Sequence, residues 1–295
     1  MTKSFSISVI SSQFSGNDTQ LQFLGNTLLI VMASTALYCF IVSEITRNYS
    51  QVDKLWSIMP IIYSIIALAS FPNPRILLMS ILVTAWGLRL SYNFGRKGGY
   101  NIIPWKGEED YRWKILRENP ALRGRLRFGL FNLIFISCYQ QLLILLFSSP
   151  LLMAAQYRHN ELNVLDVTAA ILMLFFLTVE TIADNQLFRF HSLKKRGFKD
   201  GLYSNSLKKG FMTEGIWRYS RHPNFASEQG IWISFYLFSV SSSGEWLNWT
   251  IAGPILLVLL FIGSSIMTEN ISSSKYPEYA EYQKTVPKFI PKLFV

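Results

Sequence analysis

"WRYSRHPNFASEQG", Trp217 to Gly230, runs directly into the apolar stretch "IWISFYLFSV". Two arginines, a histidine, an asparagine and a glutamate therefore stand at the mouth of a segment suited to lipid. Pro223 fits the first turn of a helix, where its missing N–H costs nothing, so a helix is expected to begin there. Asn224 and Glu228 are four residues apart and then share one helical face. An amide and a carboxylate would lie one and two turns into the segment, below a rim of Arg218, Arg221 and His222. Such a set suits a ligand with a polar planar group and a phosphate: the amide and carboxylate pair with a carboxamide, while the arginines and the helix N–H groups meet the anion. The plainer reading is an interfacial helix start whose cations reach out to lipid headgroups.

Composition supports the lipid setting. Half of the 295 residues are hydrophobic, 15% are aromatic and 16% are charged, against about 25% charged in soluble domains. A helix needs about 20 mostly apolar residues to cross the hydrocarbon core. Seven stretches qualify: Leu21 to Val42, Leu55 to Ser70, Arg75 to Phe94, Phe128 to Ser149, Val164 to Ala183, His222 to Val240 and Leu247 to Met267. The expected architecture is an all-α integral membrane protein of about seven transmembrane helices in one bundle. Its parts are a polar N-terminal tail (1–20), the membrane domain (21–268) and a C-terminal tail (269–295) packed on the domain.

Cations collect in the cytosolic loops of membrane proteins. With seven spans, 24 of the 28 Lys and Arg residues fall on one side and Lys3, Arg75 and Arg158 on the other, Arg89 lying within a span. This places the N-terminus outside and the C-terminus in the cytosol. The net charge of +10 then belongs to loops facing anionic headgroups or cytosolic ligands. Nucleic acid is a poor partner, because the basic loops flank spans and lack binding-motif spacing. The first twenty residues lack a signal peptide's apolar core and cleavage site, so the first span is expected to persist. Cys39 and Cys138 fall inside apolar spans, which favours buried small hydrophobes over a disulfide or a metal site. Asn17 ("NDT") and Asn248 ("NWT") are glycosylation triplets on the outer side.

An ionisable group inside a span is expensive and is a functional candidate by default. Besides the opening motif, "VETIADNQLFRF" puts Glu180 and Asp184 four apart on one face. Like charges so placed need a cation or hydrogen bonds, which Arg189, His191 or the hydroxyls of a ribose would supply. Asp53 in "SQVDKLWS" and Arg89 in "AWGLRLSYNFGRKGGY" either pair within the bundle or serve a site. In the second case Asp53 and Tyr92 are the proton-bearing or hydrogen-bonding groups near a substrate, with Arg89 and Arg96 close to a cofactor.

"GIWRYSRHPNFASEQG" resembles the "GLWRYSRHPNYFGE" signature of the steroid 5-alpha-reductase-like C-terminal family, one branch of which carries the DUF1295 domain. The resemblance extends to "ETIADNQLFRF", "VDKLW", "WGLRL", "EEDYRW" and the tail "YPEYAEYQKTVPKFIPKLF", from about Gln51 onward. It implies a seven-helix membrane reductase holding NADPH in a cytosol-facing cavity, with Asn224 and Glu228 at the nicotinamide end and Asp184, beside Glu180, also holding the cofactor. Hydride would pass to a carbon-carbon double bond, such as that of an enone, in a sterol, steroid or other lipid-soluble substrate. An endoplasmic reticulum location follows from the relatives. This chain departs from the pattern at Phe225-Ala226-Ser227, at Ser265 and Glu269, where the steroid enzymes have cofactor-contacting tyrosine and histidine, and at the groups that polarise the substrate carbonyl. Asp53 and Tyr92 are the candidates for that last role.

Isoprenylcysteine carboxyl methyltransferases share an "RHP" element and a "VP…IP" tail, so methyl transfer from S-adenosylmethionine is the alternative chemistry. A non-catalytic lipid-binding protein on the same scaffold is the third. Glu228 favours the reductase, since the methyltransferases usually carry a bulky apolar residue there.

Overall fold

The structure, a computed structural model, describes residues 18–291. Lys3, Asn17 of the "NDT" triplet, most of the polar N-terminal tail and the last four residues lie outside that range. The described residues form helices and turns with no strand. They divide into two compact units, one of residues up to Val167 together with Tyr236–Gly253, the other of Thr168–Phe235 and Pro254 onward.

The first unit begins with α1 (Thr19–Thr46), where Asp18 accepts the Leu21 N–H at the start and Arg47 ends the helix in the left-handed region at φ 58°. The second span is broken in two, α2 (Gln51–Trp56) and α3 (Met59–Ser70), with Pro60 in the first turn after the break. Asn73 caps α4 (Pro74–Gly95) by accepting the Ile76 N–H, and Pro74 occupies its first turn. A short α5 (Tyr111–Glu118) follows in the loop, capped by Asp110. Next come α6 (Arg125–Phe131), a π-helical stretch over Asn132–Tyr139, α7 (Gln140–Ser148) and α8 (Pro150–Gln156). Tyr49, Val52, Trp113, Phe128 and Ile136 pack around Cys39 in a core of this unit. Cys39 is buried as expected, whereas Cys138 is exposed on the π-helical stretch.

A buried ion pair fixes one end of the unit. Arg75 donates to both carboxylate oxygens of Asp166, at 2.8 and 3.0 Å, and to the carbonyls of Asn160 and Glu161. Both side chains are essentially inaccessible. Asn248 is also interior: its amide donates to Ser239 Oγ and the Glu245 carbonyl, and its Oδ1 caps the turn at Thr250. The glycosylation triplet therefore serves as a helix-start cap, and the expected use of Asn248 as an exposed acceptor is corrected.

α9 (Val164–Lys195) begins in the first unit and continues into the second. At 1.5 Å per residue its 32 residues span about 48 Å, beyond a hydrocarbon core of about 30 Å. Hydropathy marked only its lipid-facing part and stopped at Ala183. The second unit also contains α10 (Ser204–Lys209), most of α11 (Pro223–Ser243) and α12 (Ala252–Lys275), and α13 (Tyr279–Thr285). α11 starts at Pro223, as its sequence predicts. Leu207, Met212 and Trp217 pack with Ala183 and Phe190 in one core cluster, and Phe211 with Tyr279 and Tyr282 in another.

Six described helices are long and apolar enough to cross a membrane. α11 is the exception among the seven expected spans. It has 21 residues, but the Asn224, Glu228 and Gln229 side chains and its serines lower its hydropathy. The residues just before α11, Arg221 and His222, bind Glu269 near the end of α12. The start of one helix and the end of the other therefore lie side by side, and α12 is among the six spans.

Candidate functional site

The polar face expected on α11 meets the polar end of α9. Asn224 donates through Nδ2 to Asp184 Oδ1 at 3.3 Å. A carboxylate accepts and does not donate, so this bond fixes which end of the Asn224 amide faces α9. The other end, Oδ1, is buried and has no hydrogen-bond partner among the described residues. One turn further along α11, Glu228 is 4% exposed and accepts the Trp232 indole N–H at 3.2 Å. Glu180, one turn before Asp184, is equally buried. The set is rich in acceptors: three carboxylates and one amide oxygen.

Local packing explains how these residues are presented. Gly230 lets α11 approach α9 closely, since a Cβ there would lie 2.6 Å from the Phe176 ring. Gly215, at φ 65°, turns the chain just before α11 in a conformation that favours glycine. There Gln186 of α9 accepts the Ile216 N–H. The Trp217 indole N–H reaches the Ala183 carbonyl at 3.2 Å. Thus the segment ahead of α11 is tied to α9 within one turn of Asp184.

Arg221 and His222 have a different task from the anion-facing rim expected of them. Arg221 Nε donates to Glu269 Oε1 at 2.7 Å, and its Nη1 donates to the carbonyls of Gln283 and Val286. His222 Nε2 lies 3.1 Å from the same Glu269 oxygen, with Gln283 and Lys288 on the other. Backbone bonds from Arg221 to Pro287 and from His222 to Lys288 complete the seam. These two residues strap the C-terminal segment across the start of α11. Arg218 is the exposed cation of the rim, above the Tyr219 ring. It lines an open cleft of about 660 Å³ with Lys209, Glu214, Glu278 and Glu281.

A family model described as "Protein of unknown function (DUF1295)" matches residues 39–286. The chain belongs to the DUF1295 family. An uncharacterized protein of Schizosaccharomyces pombe is 38% identical over 267 residues, covering 85% of this chain and 75% of the relative. No solved structure matches significantly.

The remaining expected residues of this DUF1295 chain lie in the first unit. Asp53 Oδ2 accepts the Trp113 indole N–H at 2.8 Å. Arg96 grips Asn93 Oδ1 through Nε and Nη2, at 3.0 and 2.7 Å, and lies over the ring of Tyr92. Tyr92 is 69% exposed, and Arg89 is half-buried on α4. In the loop that follows, Asp110 holds Arg112 by two 2.8 Å contacts. Burial would raise the Asp110 pKa, but the charge and hydrogen bonds of Arg112 outweigh it and hold the carboxyl below its usual range. The sequence assigns no ion pair to Glu269, Arg75 or Asp166. Their partners lie 48 and 91 residues away, and no local pattern announces such pairs.

Proposed function

We propose that this DUF1295 protein is a membrane-embedded reductase that uses NADPH to reduce a carbon-carbon double bond of a lipid-soluble substrate. The observation that carries this reading is the buried, unpartnered Oδ1 of Asn224, beside Asp184 and one turn from Glu228. A buried acceptor without a donor costs about 1–3 kcal/mol, and a carboxamide N–H is a donor of the right kind. The resemblance to the steroid 5-alpha-reductase-like signature supports the same assignment residue by residue.

In this reading Asn224 and Glu228 hold the nicotinamide carboxamide by accepting its N–H groups. Glu180 and Asp184 accept ribose hydroxyls. Arg218 is the exposed cation for phosphate, while Arg221 and His222 keep the start of α11 and the tail in place. Bound NADPH supplies hydride. Burial of the carboxylates keeps water from competing for the donors of the bound ligand. Asp53 and Tyr92 stand as the proposed substrate-polarising pair. The expected setting is the endoplasmic reticulum membrane, with the N-terminus lumenal and the C-terminus cytosolic.

The acceptor-rich set also suits the ammonium and ribose hydroxyls of S-adenosylmethionine, which keeps methyl transfer as the second reading. Equilibrium binding of NADPH, NADH and S-adenosylmethionine to the purified chain separates the two. NADPH binding that S-adenosylmethionine does not displace supports the reductase. Binding of S-adenosylmethionine alone supports the methyltransferase, and binding of neither contradicts both.

A further inference from the structure

In the first unit, the loop after α4 turns four consecutive apolar residues outward. Ile102 is fully exposed, Ile103 and Trp105 are 36% and 48% exposed, and Pro104 between them is exposed as well. Single exposed apolar side chains are ordinary, whereas a contiguous group marks a contact surface. The loop is built to hold this group out. The Glu108 N–H donates to the Gly98 carbonyl at 2.9 Å and draws the two ends together. Gly107, at φ 123°, permits that closure, because a Cβ there would collide with the Gly99 carbonyl. Behind the tip, successive carbonyls are taken by side chains of α2 and the turn before it. Lys54 Nζ donates to those of Pro104 and Lys106 at 3.2 and 2.7 Å, Gln51 Nε2 to that of Trp105 at 3.1 Å, and Asn48 Nδ2 to that of Gly107 at 2.9 Å. Gln51 and Lys54 are both buried beneath the loop.

These bonds also set the depth of the tip. Gln51 and Lys54 lie in the first turn of the apolar span Gln51–Ser70. Its 20 residues, at 1.5 Å each, cover about 30 Å, which is the thickness of the hydrocarbon core. The first turn therefore stands at the edge of the core, next to a headgroup layer about 5–7 Å thick. The loop carbonyls that it binds lie in that layer. The composition of the tip agrees: Trp is enriched at the membrane–water interface. The exposed cations Lys97 and Lys106 stand on either side of the tip in the sequence, where lipid phosphates would meet them.

We propose that residues 102–105 form an interfacial wedge whose side chains insert among phospholipid headgroups and the upper acyl chains, on the side of the membrane where α2 begins. Lys54, Gln51 and Asn48 hold it at that depth. The partner of this apolar surface is the bilayer and not a second protein. The wedge is independent of the nucleotide reading, and its test needs no nucleotide.

The test uses the full chain in nanodiscs of phosphatidylcholine and phosphatidylserine. Cys138, the exposed cysteine, is replaced by serine, and the buried Cys39 is kept. A nitroxide spin label is attached at Ile102→Cys or, for comparison, at Glu118→Cys on the exposed face of α5. Oxygen concentrates in lipid and a nickel chelate in water, so the logarithm of their collision ratio reads the surroundings of the label. It should be positive at position 102 and negative at position 118. A negative value at 102 would place the tip in water and overturn the proposal. Exclusion of both reagents from 102 would overturn it too, since protein would then cover the tip. Lys54→Met removes the donor to two loop carbonyls and should mobilise the label at 102 and lower its ratio. An unchanged ratio would overturn the anchoring assigned to Lys54.

Discussion

Glu269 and Arg221 form the ionic centre of the second unit, Nε to Oε1 at 2.7 Å with both side chains less than a tenth exposed. The pair thereby joins the approach to α11, the end of α12 and, through Arg221, the carbonyls of Gln283 and Val286 at the end of α13. Breaking a buried pair by removing one partner costs about 3–5 kcal/mol, because the other charge is left uncompensated. Glu269→Ala should therefore lower stability by that order in thermal unfolding in detergent. It should also expose residues 283–291 to protease before the rest of the chain. Unchanged Tm and unchanged tail protection would show that the seam is not formed.

The Arg75–Asp166 pair is predicted to behave as a unit. Arg75→Leu and Asp166→Leu should each destabilise strongly, and the double variant by much less than the sum, since two apolar side chains leave no buried charge. Additive losses in this double-mutant cycle would contradict the pairing.

Asn248 should carry no glycan, even when its loop is lumenal, because its amide is buried and already donating. Asn248→Ala should instead cost about 1 kcal/mol through the lost cap. A glycosidase-sensitive mass shift that disappears in Asn248→Gln would refute the cap.

Much of this was readable from local pattern, and what was not has a common cause. Pro223 announced the start of α11, and the spacing of Asn224 from Glu228 and of Glu180 from Asp184 announced two polar faces. That Asn224 meets Asp184 is a tertiary fact, 40 residues apart in the chain. Hydropathy placed the spans but ended two of them early, at Ala183 and Met267, while the helices continue to Lys195 and Lys275. Polar residues such as Gln, Lys and Arg are good helix formers, so apolarity shows where lipid ends and not where the helix ends. The arginines ahead of α11 looked alike in sequence. Only the fold separates Arg221, consumed by Glu269, from the exposed Arg218. The triplet at Asn248 reads the same whether exposed or buried: Thr250, its own third residue, supplies the local cap contact, while the bond to Ser239 and the burial come from packing.

Acid should loosen the loop around α5. Asp110 has its pKa depressed in the folded chain, so its contribution to stability is present above the ordinary Asp value of about 3.9 and is lost as pH falls through the lower folded value. Limited proteolysis at residues 96–124 should therefore increase as pH is lowered below about 4. Asp110→Asn should show the loosened state already at neutral pH. A cleavage rate independent of pH in the unaltered chain would contradict the Asp110–Arg112 account.

The central claim is that Asn224 and Glu228 hold a nicotinamide nucleotide, and titration of NADPH into the purified chain and its Glu228→Ala and Asn224→Ala variants tests it most directly. Each variant is predicted to bind NADPH about tenfold or more weakly, a loss of about 1.4 kcal/mol or more, while remaining folded. Unchanged NADPH affinity in both variants, or no binding by the unaltered chain, would contradict it.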